Sequence, residues 1–364
     1  MPITIGIDIN EANVADKVGS NQYAYEIINA LYEADIQNNY ILYSSKSIRA
    51  DLPKARANWQ YRVIPPAKLW TQWRLPLALW IDRKKVDVFF TPGHYAPRWS
   101  PIATVVTIMD CAYKLFPEFF LPKDVYQLTA WTKYSVKNAA HVIAISQSTK
   151  NDVLKYYGRK SSDVTIAYPG FNAIAGKIES RKSLSDTPYI LFVGTIQPRK
   201  NLVRLVKAFE RLNSPHELVI AGKQGWLADE VYSAINQSTK RSHIKLLGFV
   251  SQAELPALYR GSSCVVMPGL YEGFGIPALE AIRYGSIPVV SLTGSLPEVV
   301  GDEAITFDPY SVSSISESLA KAVQLPLADK QKLLAGYRQH AGKFDWLKSA
   351  QIILEVLHAV AFSR

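Results

Sequence analysis

The chain has 364 residues, 48% of them hydrophobic and 20% charged, with a formal charge of +10 and two cysteines. That length favours two domains with a core each, the composition excludes a disordered chain, and no apolar run approaches the roughly 18–20 residues that cross a bilayer. The charge is diffuse, 20 basic against 14 acidic residues up to position 172 and 21 against 17 beyond it; without an RNP, zinc-finger or basic-zipper pattern it describes a solvated surface, and no nucleic acid is expected as a partner.

The first residues, Ile3-Thr4-Ile5-Gly6-Ile7, meet Asp8 without a basic leader or a small-residue cleavage site, so a cytoplasmic location is expected. Short β-branched runs predict strands at 4–8, 40–43, 61–64, 87–90, 104–109, 141–145 and 164–167, with helical periodicity between them, the pattern of parallel strands joined by crossover helices. Within this half, Leu69 to Trp80 followed by Arg83-Lys84-Lys85 reads as an interfacial anchor, or as core or the wall of a binding crevice. Pro76 interrupts a long amphipathic helix and weighs toward the latter. Residues 168–187 then lose apolar periodicity and carry Gly, Pro, Ser and Lys, a linker composition. A second alternation predicts strands at 189–193, 217–221, 244–247, 264–267, 288–291 and 304–307, with three helical stretches at the end. Cys111 and Cys264 sit in apolar stretches far apart, which suits buried thiols rather than a disulfide or a zinc site.

The expected fold is therefore α/β, two Rossmann-like doubly wound domains facing across a cleft: 1–172, a linker at 173–187, 188–343, and a C-terminal helix at 344–364 that packs back on the first domain. Open α/β sheets bind ligands beyond the carboxyl ends of their strands, so the loops there are the places to look for chemistry.

The densest signal is Pro268-Gly269-Leu270-Tyr271-Glu272-Gly273-Phe274-Gly275-Ile276-Pro277-Ala278-Leu279-Glu280, between a strand and a helix that should begin at Pro277. Gly273 and Gly275 allow backbone to approach a ligand, and the free amides of a helix start favour a diphosphate. Glu272 in the loop and Glu280 on the first helical turn suit sugar or ribose diols; the plainer reading is a solvated loop residue and a carboxylate on a helix dipole. In Gly194-Thr195-Ile196-Gln197-Pro198-Arg199-Lys200-Asn201, Asn201 can cap the next helix and set Arg199 and Lys200 beside a diphosphate, unless the pair is only solubilising charge. Gly19, after the first strand, is a weak phosphate-loop signal or simply a turn.

These loops resemble the retaining nucleotide-sugar glycosyltransferases of glycosyltransferase family 4, the group 1 glycosyl transferases, with GT-B architecture. The resemblance runs through Val18–Tyr23, Thr104–Asp110, Ala144–Ser148, Tyr168-Pro169-Gly170, Val193-Gly194-Thr195, Arg199-Lys200-Asn201, Ala221–Trp226, Leu255–Tyr259, Glu272–Glu280 and Ser295–Glu298. It implies that Glu272 contacts donor-sugar hydroxyls, Glu280 holds the ribose, and Arg199 and Lys200 bind the diphosphate with Gly194 and Gly19 close by. It also implies that Gly273, Phe274, Gly275 and Ile276 give backbone contacts, that Phe249 and Val250 border the base, and that Lys223 belongs to the donor side, in a loop that reaches either the cleft or simply the solvent. Retention by front-face attack, with the leaving phosphate taking the acceptor proton, comes with the resemblance. No Asp-x-Asp pair is evident, and neither a metal nor a cofactor is expected. The partners implied are a nucleotide-sugar and a saccharide or lipid-linked acceptor, in surface-polysaccharide or glycolipid assembly, with a peripheral place at the inner membrane face.

Two departures matter. Met109-Asp110 stands where the family frequently has His-Asp; methionine suits a 6-deoxy sugar or repositions an ordinary hexose. Asp110 stays a catalytic candidate, orienting the cleft or capping its turn. Asn21 replaces a common glycine and tolerates left-handed backbone. His94 and Met109 are acceptor-side candidates. The competing readings are a degenerate nucleotide-sugar-binding protein and a GT-B nucleotide-sugar epimerase.

Overall fold

Two parallel sheets organise the computed structural model, which describes residues 1–17, 19–170 and 187–363. The chain divides into two units, Met1–Lys114 with Lys123–Gly170 and Phe344–Arg364, and Leu115–Pro122 with Phe171–Lys343. The expected linker at 173–187 lies outside the described residues except for Thr187, as does Val18 of the first glycine loop.

The first unit runs β1 (Thr4–Asp8), α1 (Ser20–Ala34), β2 (Asn39–Ser44), β3 (Trp59–Val63), α2 (Leu75–Asp82), β4 (Val88–Thr91), β5 (Thr104–Ile108), α3 (Ala112–Leu115), α4 (Pro122–Asn138), β6 (His141–Ala144), α5 (Gln147–Tyr157) and β7 (Val164–Ile166). Its sheet has the order β3-β2-β1-β4-β5-β6-β7. Strands β4 and β5 are buried at every position, as expected where helices cover both faces of a parallel sheet. Helix α5 shows how local sequence sets the ends: the Ser146 hydroxyl accepts the Thr149 amide at 2.9 Å, and Gly158 closes the helix in left-handed geometry.

The second unit runs β8 (Tyr189–Val193), α6 (Leu202–Arg211), β9 (Glu217–Ala221), α7 (Asp229–Gln237), β10 (Ile244–Gly248), α8 (Leu255–Gly261), β11 (Cys264–Met267), α9 (Ile276–Tyr284), β12 (Ile287–Ser291), α10 (Leu296–Val300), β13 (Ile305–Phe307), α11 (Val312–Val323) and α12 (Leu327–Ala341). Its sheet order is β10-β9-β8-β11-β12-β13, so the order reverses between β8 and β11, as it does between β1 and β4 in the first sheet. The loops leaving such a strand pair part from each other and open a crevice.

The last helix, α13 (Trp346–Phe362), belongs to the first unit, where the Trp346 ring meets Tyr23 of α1 edge-on at 5.6 Å. Leu115–Pro122 groups with the second unit, where the Trp226 indole donates to the Phe119 carbonyl at 2.6 Å. Both cysteines are buried free thiols, and burial pushes the Cys264 thiol up to about 12. No helix of the described residues is long and apolar enough to cross a membrane.

Candidate active site

The reversal point of the second sheet collects the strongest sequence candidates. Arg199 and Lys200 lie in the short turn Pro198–Lys200 after β8, and Glu272 in the loop after β11. Glu272 is buried; its carboxylate accepts from Lys200 Nζ at 2.6 Å and from Arg199 Nη1 at 3.4 Å, and Arg199 Nη1 also donates to the Tyr271 carbonyl. Burial alone would raise the Glu272 carboxyl, but Lys200 and then Arg199 outweigh it and hold the group below its ordinary range. Glu272 is thus ionised at neutral pH, and the three groups together carry one net positive charge.

The loop carrying Glu272 is tied down at several points. Ser295 donates its hydroxyl to the carbonyls of Glu272 and Phe274 at 2.9 and 2.7 Å, and Ser291 donates to the Gly269 carbonyl at 2.7 Å. Gly294, at φ +62°, lies so close beneath Glu272 that a Cβ there would sit 2.6 Å from its carbonyl oxygen. Gly275, at φ +104°, turns the chain into α9. None of Ser291, Gly294 and Ser295 stands out as a site residue in the sequence, because a Ser-x-x-x-Ser spacing after a strand is too common to carry a signal alone.

Three expectations need correction. Helix α9 begins at Ile276, so Pro277 is its second residue and Glu280 lies on the second turn rather than the first. There Glu280 accepts from the Tyr259 hydroxyl of α8 at 2.6 Å, and burial raises its carboxyl to about 7 against the lowering effect of that bond. Asn201 occupies the start of α6 in left-handed geometry without a side-chain cap; its amide instead donates to the carbonyls of Pro268 and Pro309 at 2.9 and 2.8 Å, pinning this loop to its neighbours. Asn21 is helical, within α1, and its amide donates to the Glu11 carboxylate at 2.6 Å. A helix start with a nearby carboxylate had a better use for Asn21 than a left-handed turn.

The remaining donor-side candidates lie on the same unit. Gly194 follows β8, and the amide of Ile196 donates to the Lys223 carbonyl at 3.0 Å, so these loops adjoin while the Lys223 side chain is exposed. Phe249 is exposed and Val250 buried after β10; Gly273 and Phe274 are buried and Ile276 half-buried.

At the reversal point of the first sheet, Asp8 closes β1. It accepts from the Trp70 indole at 2.9 Å and from Asn10 at 3.0 and 2.8 Å, and burial raises it to about 6. Glu11 follows, also raised by burial, and Gly19 starts α1 at φ +55°. From the loop after β4, His94 Nε2 accepts the Met109 amide at 3.1 Å, which places the ring proton on Nδ1. That Nδ1 is buried and has no hydrogen-bond partner among the described residues; burial lowers the His94 pKa against a nearby Asp110. The ring is a neutral donor. Asp110 accepts the Ala112 amide at 3.0 Å, the turn-capping alternative, while Met109 is buried. Asp8 and Glu11 were missed because strand-end carboxylates look like ordinary surface charge until the sheet order is known. Among the described residues no group of three or more His, Cys, Asp or Glu is placed to hold a metal ion.

Two family models match in succession, Glycosyltransferase Family 4 over residues 18–173 and Glycosyl transferases group 1 over 176–340. The chain belongs to the family 4 glycosyltransferases. Its relatives include O-antigen chain mannosyltransferase B of Escherichia coli, 29% identical over 73% of each chain. Serotype-specific mannosyltransferase WbdA of the same species is 32% identical over 60% of this chain and 29% of that longer protein. Among solved structures, sucrose-phosphate synthase from Thermosynechococcus elongatus superposes over all of both chains with a TM-score of 0.76 at 18% identity. Anabaena HepE, solved with UDP and glucose, does so over 98% of this chain and all of its own with 0.72 at 17%. At those identities the likeness establishes the fold: this glycosyltransferase has the two Rossmann-like units of the GT-B class.

Proposed function

We propose that this glycosyltransferase moves a hexose or deoxyhexose from a nucleoside diphosphate sugar to a saccharide or lipid-linked acceptor, with retention and without a metal ion, in surface-polysaccharide or glycolipid assembly at the cytoplasmic membrane face. The observation that carries the reading is the Arg199–Lys200–Glu272 cluster at the sheet reversal. As the bond from the anomeric carbon to the diphosphate breaks, negative charge gathers on the leaving phosphate, and fixed cations lower the barrier where that charge develops. An ionised Glu272 accepts hydrogen bonds from sugar hydroxyls, and Glu280 with Tyr259 suits a ribose diol. In the first unit, His94 offers its Nδ1–H to a substrate hydroxyl.

Mannose is the first sugar to test, because O-antigen chain mannosyltransferase B and serotype-specific mannosyltransferase WbdA carry that activity in their names. Buried Met109, unable to hydrogen-bond a hydroxyl strongly, supports a 6-deoxyhexose as the second. A panel of nucleoside diphosphate sugars, scored by melting temperature and then by transfer, tests the reading: a bound donor at about a hundred times its Kd adds about 2.7 kcal/mol. We expect the mannose or 6-deoxy donor to lead, the product to keep the donor's anomeric configuration by NMR, and EDTA to leave turnover unchanged. An inverted product, or turnover abolished by EDTA, counts against the mechanism.

A further inference from the structure

The segment entering α2 is apolar on both sides. The π-helical turn Trp70–Arg74 runs directly into α2, and inward-facing Trp70, Leu75, Ala78 and Leu79 join a core with Tyr43 and Phe89. On the other side Trp73, Leu77, Trp80 and Ile81 are 63, 57, 50 and 61% exposed, and their spacing puts them on one stripe. Trp99 extends it, its ring 5.9 Å from that of Trp73. Both Trp99 and exposed Leu69 are held at positive φ, 50° and 55°, a conformation unfavourable for bulky side chains. A soluble domain rarely leaves so much contiguous apolar surface open.

The charge around this stripe distinguishes the occupants. Exposed Lys68 precedes it and exposed Arg83, Lys84 and Lys85 follow it, with the Arg83 guanidinium over the Trp80 ring at 5.6 Å. Lysine is depleted from protein–protein interfaces, whereas tryptophan beside a Lys/Arg run is what an anionic bilayer surface selects. The helical stretch is far too short to span, so it lies in the headgroup region.

We propose that the face formed by Trp73, Leu77, Trp80, Ile81 and Trp99 docks the protein on an anionic phospholipid surface. The helix that presents it also sends Trp70 inward to Asp8 at the end of β1, so the docked face is joined by one hydrogen bond to the first unit's sheet-reversal crevice. This rests on the membrane placement of the proposed function, to which it gives a surface and a lipid chemistry, and it does not depend on the transfer chemistry.

Flotation of the full chain with vesicles of phosphatidylcholine, with and without phosphatidylglycerol, tests it in the absence of donor, so it stands or falls apart from the transfer reading. The wild type should float with the anionic vesicles and be released by salt. A Trp73→Ser, Trp80→Ser double variant, altered only at exposed positions, should partition about tenfold less while keeping its melting temperature. Lys84→Glu with Lys85→Glu should bind less and lose the salt dependence. Failure of the wild type to float, or equal flotation of the tryptophan variant, overturns the proposal. A wild-type dimer in sedimentation that the tryptophan variant loses would overturn it too, assigning the face to a second copy of the chain.

Discussion

Glu272 is the residue on which the donor site turns, and its surroundings change what its removal should do. This carboxylate already balances one of the two positive charges of Arg199 and Lys200, so Glu272→Ala removes their shared counter-charge in a mostly buried place, a loss of about 3–5 kcal/mol for a broken buried pair. A nucleoside diphosphate can replace the missing charge. We therefore expect Glu272→Ala to lose turnover by about a hundredfold or more. The nucleoside diphosphate should raise its melting temperature by more than it raises that of the wild type. Arg199→Ala should weaken both turnover and diphosphate binding. Kinetics beside thermal shifts of the three proteins check this, and full activity of Glu272→Ala would remove the assignment. The residue types and their loops were legible in the sequence; the pairing of Glu272 with both cations was not, because it joins loops about seventy positions apart.

At the scale of elements, a hydrogen bond from Tyr259 to Glu280 joins α8 to α9, beside the stacked rings of Tyr259 and Tyr284. The folded-state carboxyl is raised from 4.5 to about 7, so the native protein binds that proton more tightly than the unfolded chain. The cost of ionising it is absent below the unfolded value, grows as pH rises, and is complete above about 7. Glu280→Gln keeps an acceptor for the Tyr259 hydroxyl and removes that cost. Its melting temperature should exceed that of the wild type by a few degrees at pH about 8 and by little at pH about 5. Equal differences at both would show that Glu280 does not carry the raised group. Strand positions were read closely from β-branched runs, because fully buried parallel strands have little freedom of composition. Helix starts were read less well. Proline fits both the first and second helical positions, and only the backbone shows Gly275 turning the chain one residue earlier.

For the whole molecule, α13 returns the chain to the first unit after the second has been built. Trp346, nearly buried, closes on Tyr23 of α1, and Gly170 lies so tightly against Trp346 that no side chain fits there. Trp346→Ala should cost about 3–5 kcal/mol, as other large-to-small core changes do, and thermal unfolding by circular dichroism should show a lower first transition. A nearly unchanged curve would mean that α13 adds little to the first unit. By itself the sequence determined the class of fold, the alternation of strands and helices, and the loops that carry Arg199, Lys200 and Glu272. These depend on local periodicity and on glycine and proline chemistry, which act over a few residues. Only the tertiary structure decided that Glu280 answers Tyr259, that Asn201 pins loops instead of capping a helix, that His94 holds the Met109 amide, and that Trp73 and Trp80 face outward. Each depends on which strands are neighbours and which face of a helix a sheet covers, relations that long-range packing sets and no local pattern encodes.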